Sequence, residues 1–250
     1  FEGASSFNSY IGDWNTSSVT NMGAAFNNAQ AFNQNISGWD TSNVTSVQIT
    51  FANAVSFNQD LSDWNISSAS NMNSMFRNSN SLSDTNKGLI HESFASNSNW
   101  SYDWREFVVL DDTNFQTAVN LWFNNQADAN ATYGHISDWN TSVVTNMTKA
   151  FQGRSSFNHD IGSWDIRNVT NTSFMFNGAT TFDQPIGDWN VSSVTNASWM
   201  FDGATSFNKD IQNWNTSNMV NMDGMFKSAT SFNQPVESWD VSKVSIMRGL

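Results

Sequence analysis

Apolar residues recur along this chain with a period of 25, and polar residues fill the gaps. Phe opens each unit, at Phe1, Phe26, Phe51, Phe76, Phe151, Phe176, Phe201 and Phe226. A second Phe follows six residues later, at Phe7, Phe32, Phe57, Phe157, Phe182, Phe207 and Phe232, with Leu82 in the remaining place. Next come an aliphatic (Ile11, Ile36, Leu61, Ile136, Ile161, Ile186, Ile211, Val236) and a Trp (Trp14, Trp39, Trp64, Trp139, Trp164, Trp189, Trp214, Trp239). Val19, Val44, Ala69, Val144, Val169, Val194, Met219 and Val244 close the unit, usually with Met three residues on. A fixed period in this size range marks a stacked repeat, because no single unit can bury its own apolar set and each position must lie over its twin.

The pattern predicts an α/β repeat solenoid, right-handed and leucine-rich-repeat-like, with short parallel strands and short helices or 3₁₀ turns. The strand is placed at FNQDIxxW, where parallel pairing would advance each coil by roughly 4.8 Å. The helical turn is placed at MxxMFxGA, where Met and Phe fall at helical spacing. Asn15, Asp40 and Asn65 after Trp predict turns closed by the side chain. The recurrent Asn at Asn21, Asn71, Asn146, Asn171, Asn196 and Asn221 is expected to form a ladder serving turn backbone groups.

The repeat stops after residue 82. The expected division is 1–82 repeats, 83–110 a helical and aromatic C-cap, 111–134 a helical N-cap, and 135–250 repeats. Asn86 is read as the cap of a helix over Lys87–Phe94, with Leu89, Ile90 and Phe94 inward. Thr113 and Gln116 read as a capping box for the stripe Phe115, Ala118, Val119, Trp122 and Phe123. Ala127–Ala131 continues helical and stops at Gly134. The ends of the sequence match: residues 244–250 followed by 1–8 give VSIMRGLFEGASSFN, a normal repeat junction. Phe1, Phe7, Met247 and Leu250 are therefore candidate end-to-end junction residues. The chain is expected to be one period of a longer array; the competing reading is a trimmed fragment whose ends match by chance.

Composition narrows the function. The net charge of −12 argues against nucleic acid, which needs a positive footprint, and against anionic lipid. No cysteine is present, so disulfides and thiolate zinc sites are excluded. No apolar run is long enough to span a membrane. The 37 Asn create 13 Asn-x-Ser/Thr sequons, with Asn15, Asn43, Asn140 and Asn190 as candidate glycosylation sites. They arise either by accident in an Asn/Ser/Thr-rich turn or, in a eukaryotic extracellular protein, as glycan acceptors.

The units FNQNISGWDTSNVTSV (32–47), FNQDLSDWNISSASNM (57–72) and FDQPIGDWNVSSVTNA (182–197) resemble the BspA-like surface-protein repeat, a relative of the leucine-rich repeat. Segments 82–104 and 132–147 resemble the ends that flank such arrays. Val47, Thr172 and Ala197 depart from the usual Met, and Pro185 and Pro235 from the usual Asp. Those two prolines are expected to weaken strand pairing locally or to mark a strand end. The resemblance implies an extracellular or cell-surface location and adhesion or assembly without catalysis.

Candidate chemistry is sparse. His91, His135 and His159 share neither a helix face nor a repeat phase, and no phosphate loop or nucleophile set is present. The Asp positions at Asp13, Asp63, Asp138 and Asp188 and at Asp60, Asp160 and Asp210 read as a solvated edge in preference to a Ca²⁺ row. The Trp row reads as core, with the indole N–H on a turn carbonyl, in preference to a sugar platform. The irregular row at Thr16, Thr41, Thr141 and Thr216 argues against ice binding. Trp100, Tyr102 and Trp104 are the candidate contact aromatics. The expectation is a non-enzymatic building block of a surface filament or adhesin stalk, with self-association, no cofactor and no metal site. The alternative is a module recognising a protein or glycan through its strand face or cap aromatics.

Overall fold

The computed structural model describes residues 1–249; the candidate junction residue Leu250 lies outside them. Within each of two compact units the 25-residue repeats stack as coils, and their rings form columns, Phe1 to Phe76 in the first and Phe151 to Phe226 in the second. Within a coil the two Phe rings lie face to face, as in Phe26–Phe32 at 4.0 Å and Phe176–Phe182 at 3.9 Å. Between coils the first Phe column repeats at 5.4–5.6 Å. The Trp column repeats at 6.0–6.3 Å. These rings, with Ile36, Leu61, Ile161, Ile186 and Ile211, are removed from water in the interior coils. Burial of this kind, at about 25 cal/mol per Å², is the main driving force for stacking.

The predicted α/β solenoid with parallel strands is not what forms. Among the described residues there are three α-helices, two 3₁₀ turns and no extended strand. The parallel pairing that exists is a series of isolated bridges, Asn21 to Ser46 to Asn71 and Asn146 to Asn171 to Asn196 to Asn221 to Ile246. It runs through the stretch expected to be helical. The N–H groups of Met22, Ala24, Phe26 and Asn28 donate to the carbonyls of Ser46, Gln48, Thr50 and Ala52 in the next coil, each at 2.9 Å. The residues between them close turns within the coil: the N–H groups of Ala25, Asn27 and Ala29 donate to the carbonyls three residues back. Left-handed backbone at Ala24 (φ 60°) and Asn28 (φ 61°), repeated at Ile49, Asn53, Phe174 and Trp199, interrupts any helix at this point.

The stretch expected to be the strand is paired through side chains instead. Asn8 Oδ1 accepts the Asn33 N–H and Asn33 Oδ1 accepts the Asn58 N–H. Gln34 and Gln59 Nε2 donate back to the same asparagines. The inter-coil asparagine ladder therefore runs through Asn8, Asn33 and Asn58. Asn21 and its equivalents serve their own turns, Oδ1 accepting the N–H two residues on. Pro185 and Pro235 do not weaken pairing as expected, because no described coil uses an N–H donor at that phase.

Three helices interrupt the coils. α1, Asp84–Phe94, is capped by Ser83 Oγ, which accepts the Asn86 N–H; it starts earlier than predicted, and Leu89 faces water. α2, Phe115–Asn124, follows Asn114, while Thr113 donates to Asp111 and caps nothing. α3, Gln126–Tyr133, is capped by Asn125 and ends at Gly134, whose φ is 79°. The chain forms two compact units. The first comprises Phe1–Val108 with Ala131–Tyr133, and the second Val109–Asn130 with Gly134–Leu250.

One glycine is fixed by packing. A Cβ on Gly224 (φ 58°) would lie 2.7 Å from the Trp199 ring in the preceding coil. Trp199 in turn stacks on Phe174 at 6.2 Å, with Lys227 over its face. Gly224→Ala is expected to cost about 1–3 kcal/mol, the range for an overpacked site. Trp199→Ala in the same chain should recover most of it, because Ala24 shows that alanine tolerates this backbone. Thermal unfolding of the single and double variants checks the coupling.

Candidate functional site

The indole row behaves as the pattern predicted. Trp39, Trp64, Trp164, Trp189, Trp214 and Trp239 each donate Nε1–H to the carbonyl 28 residues back, at 2.8–3.2 Å. Trp139, in the first coil of the second unit, uses Gly134 O instead. In the interior coils the faces of this row are covered by one another and offer no sugar platform, whereas Trp14 in the first coil is exposed, against the expectation that the whole row is core. The threonine row is buried, and Thr16, Thr41, Thr141 and Thr216 donate to the next coil's carbonyls. Asp60, Asp160 and Asp210 close local turns, and no group of three metal-ligating side chains forms among the described residues.

The cap segments imitate the coil they replace. In the first unit, Phe51 N–H donates to Met75 O of the next coil; Phe76 N–H has no such coil and donates to the Tyr102 hydroxyl at 2.8 Å. Ser93 Oγ donates to Ser62 O, where Ser163 and Ser238 serve the equivalent carbonyls. Asn97 Nδ2 satisfies Ile66 O and Ala69 O. In the second unit, Thr195 N–H and Oγ1 donate to Thr170 O, and Asn196 N–H lies 3.3 Å from the same oxygen. In the first coil of that unit the Asp112 carboxylate takes the same three donors, from Thr145 N–H, Thr145 Oγ1 and Asn146 N–H. These bonds hold Asp112 below the usual carboxylate range against the opposing effect of desolvation.

The candidate contact aromatics are engaged in this cap. Trp100, Tyr102 and Trp104 are half-buried and pack on Phe76 at 6.4, 6.0 and 5.5 Å. Tyr102→Phe keeps the ring and removes the acceptor for Phe76 N–H. It is expected to cost about 1–3 kcal/mol, the penalty of an unpartnered backbone donor. Urea unfolding of the variant measures it, and faster exchange of the Phe76 amide locates it. Behind the aromatics, buried His91 uses both ring nitrogens: Trp100 Nε1–H donates to Nδ1 at 2.9 Å, and Nε2 faces Ala131 O at 3.0 Å. Burial pushes the imidazole below its ordinary value.

Several surfaces are open among the described residues, including a hollow of about 290 Å³ beside Trp100, Tyr102, Asp103 and Arg105. Another is an open groove of about 630 Å³ whose lining includes Asn65, Ser67, Ser70, Ser96, Asn97 and Asn99; no lining residue is charged. A third consists of the end coils. Phe1 is 42% exposed and Trp14 53%, whereas Phe26 and Trp39 below them are buried. Phe7 is half-buried against Phe32. At the other end Val236, Val241, Ile246 and Met247 are exposed. The candidate glycosylation residues Asn15, Asn43, Asn140 and Asn190 are all exposed. Asn15, Asn140 and Asn190 close Asx turns through Oδ1, and Asn43 Nδ2 donates to Ser17 O.

No helix among the described residues is long and apolar enough to cross a membrane. No curated protein and no solved structure matches this chain. A family does, over residues 1–88, 90–205 and 185–250, which together cover nearly the whole sequence. The leucine-rich-repeat relationship suggested by the motif has no counterpart in that match or in the strand-free coils. The chain belongs to the family described as Mycoplasma protein of unknown function, DUF285.

Proposed function

We propose that this chain is a non-enzymatic structural repeat protein of a cell surface or extracellular layer, whose open coils stack end to end into an array. The observation that carries this reading is the contrast between its coil ends. The coil edges next to the helical segments are closed by Asp112, Tyr102, Ser93 and Asn97. Among the described residues the coils at 1–25 and 226–249 meet no such closing segment, and Phe1 and Trp14 in the one and Val236 and Val241 in the other are exposed. Their registers are complementary. Trp39 Nε1–H uses Ile11 O and Thr45 N–H uses Thr20 O within the chain. The same register would carry Trp14 Nε1–H to Val236 O, and Thr20 N–H to Ser245 O, of a second copy. Such a head-to-tail contact adds copies into an open array unless its rotation closes a ring.

A two-copy covalent tandem, with residue 250 joined to residue 1, tests this reading. Trp14 of the second copy is expected to become as resistant to acrylamide quenching as Trp39. The single chain should sediment as a concentration-dependent series that Trp14→Ala abolishes. A single chain that stays monomeric, together with a tandem in which Trp14 remains fully quenched, would overturn the proposal.

Recognition of a protein or glycan is the second reading. With no strand face and with the cap aromatics engaged in packing, its support is the uncharged groove beside Asn97 and Asn99. Its hydroxyl and amide lining suits a neutral polyhydroxyl ligand. Saccharide-induced shifts of the Asn97 and Asn99 side-chain amide signals would favour it, and unchanged signals across neutral glycans would remove it.

A further inference from the structure

Fold topology brings together two histidines that the repeat phase keeps apart in sequence. His135 and His159 are 24 residues apart, one short of the period, so they sit side by side on adjacent coils of the second unit. Their ring centroids are 5.5 Å apart and their planes are inclined by 72°. Trp122 of α2 meets both edge-on, at 5.0 and 5.2 Å. His135 is exposed and His159 half-buried, so solvent reaches the pair.

His135 is also oriented from behind. Its Nδ1 lies 2.7 Å from Ser137 Oγ, and that hydroxyl donates to Asp138 Oδ1 at 3.0 Å. Nδ1 also accepts the Ser137 N–H at 3.3 Å. A metal ion on Nε2 places the proton on Nδ1, where the imidazole gives up the Ser137 N–H bond and donates to Ser137 Oγ, which in turn donates to the Asp138 carboxylate. A carboxylate behind an imidazole, here relayed by a hydroxyl, is the arrangement that fixes a metal-ligating histidine.

We infer that His135 and His159 form a two-imidazole site for a divalent transition-metal ion of the Cu²⁺, Ni²⁺ or Zn²⁺ class. Centroids 5.5 Å apart are within the span of one ion held at about 2.0–2.1 Å from each ring nitrogen. Imidazole selects these ions over Mg²⁺ or Ca²⁺, and Cu²⁺ binds tightest in the series. No third imidazole, carboxylate or thiolate completes a cluster among the described residues, so water fills the remaining positions. His91 does not compete, because it is buried with both nitrogens engaged.

The test is calorimetric titration of the untagged chain with CuCl₂, NiCl₂, ZnCl₂ and MgCl₂, beside His135→Gln and His159→Gln. The second variant places the glutamine found at this phase in four other coils, Gln34, Gln59, Gln184 and Gln234, so the coil keeps a native pattern. One Cu²⁺ per chain is expected, bound more tightly than Ni²⁺ or Zn²⁺, with no Mg²⁺ uptake. Each variant should weaken Cu²⁺ at least tenfold at an unchanged melting temperature. Ni²⁺ should broaden the Trp122 indole signal and leave Trp39 untouched. No saturable uptake by the parent chain, or equal affinity in His159→Gln, would overturn the assignment.

Discussion

Phe176→Ala is expected to destabilise the second unit by about 3–5 kcal/mol, the range for deleting a buried aromatic ring. Phe176 is fully buried in the column. Its ring lies 3.9 Å from Phe182, 5.5 Å from Phe151 and 5.4 Å from Phe201, all close to parallel. The cavity cannot close by sliding the coils together. Phe176 N–H is held on Met200 O at 2.8 Å, and Phe151 N–H on Met175 O at 2.8 Å. The coil spacing is therefore set by backbone bonds on both sides of the hole. Stacked aromatic pairs add about 0.5–1.5 kcal/mol beyond area alone, which places the effect toward the top of the range. Urea unfolding followed by circular dichroism measures it, with Phe176→Leu as the control that restores volume. A loss below about 1 kcal/mol would show that the columns are not the source of stability, against the cavity cost used here.

The second large effect concerns His91. His91→Leu leaves the Trp100 indole N–H and Ala131 O without their partners inside the first unit. Both groups are only partly buried, so each counts toward the low end of the about 1–3 kcal/mol of an unpartnered group, and the expected loss is about 2–3 kcal/mol. The same residue makes this unit acid-sensitive. Burial holds folded His91 below its ordinary value; the Ala131 carbonyl and Asp103 oppose that shift, and Arg105 adds to it. Asp103 stays ionised down to about 2, through the hydrogen bond from Arg105, so it does not itself titrate near neutrality. An unfolded imidazole takes up its proton near pH 6.5. Between that value and the lower folded one the unfolded chain carries the extra proton, so stability falls as the pH falls. A proton on Nδ1 would also face the Trp100 N–H donor. The melting temperature of the parent chain should therefore drop from pH 7 toward pH 5. His91→Leu should show a shallower drop in that window. Parallel pH profiles for the two proteins would remove His91 as the cause.

Much of the core is written in the sequence. The two Phe columns, the aliphatic and the Trp recur at fixed spacing, and burial of identical positions on one another follows from that spacing alone. The Trp39 indole bond to Ile11 O could be anticipated because a buried N–H needs an acceptor. The turns after Trp were legible for the same kind of reason: Asn15 and Asp40 each accept the N–H two residues on.

The backbone between those positions was not legible. Apolar period and β-competent residues pointed to a strand at residues 32–39, yet Asn33 N–H and Gln34 there bond to the Asn8 side chain and backbone. Met22 and Phe26 stand at helical spacing, yet Ala24 and Asn28 between and after them adopt left-handed backbone. Propensity gave no warning, since alanine is a strong helix former. What overrides it is the next coil, whose carbonyls at Gln48 and Ala52 accept the N–H groups that this conformation turns outward.

The helical boundaries shifted for a related reason. Ser83 is both the cap of α1 and the donor to Asn58 Oδ1, so the coil below decides where the helix begins. The caps and the histidine pair depend on tertiary contact altogether. Nothing in the local sequence marks Asp112 as the substitute for a missing carbonyl, or Tyr102 as an acceptor for Phe76 N–H. The meeting of His135 and His159 becomes visible only when the period is treated as a distance in space. The sequence by itself determined which side chains are buried and in what order they stack, because burial follows from hydrophobicity and period. Only the tertiary structure decided how the backbone runs between them, because alternate N–H groups, such as those of Met22, Ala24, Phe26 and Asn28, take their partners from the neighbouring coil.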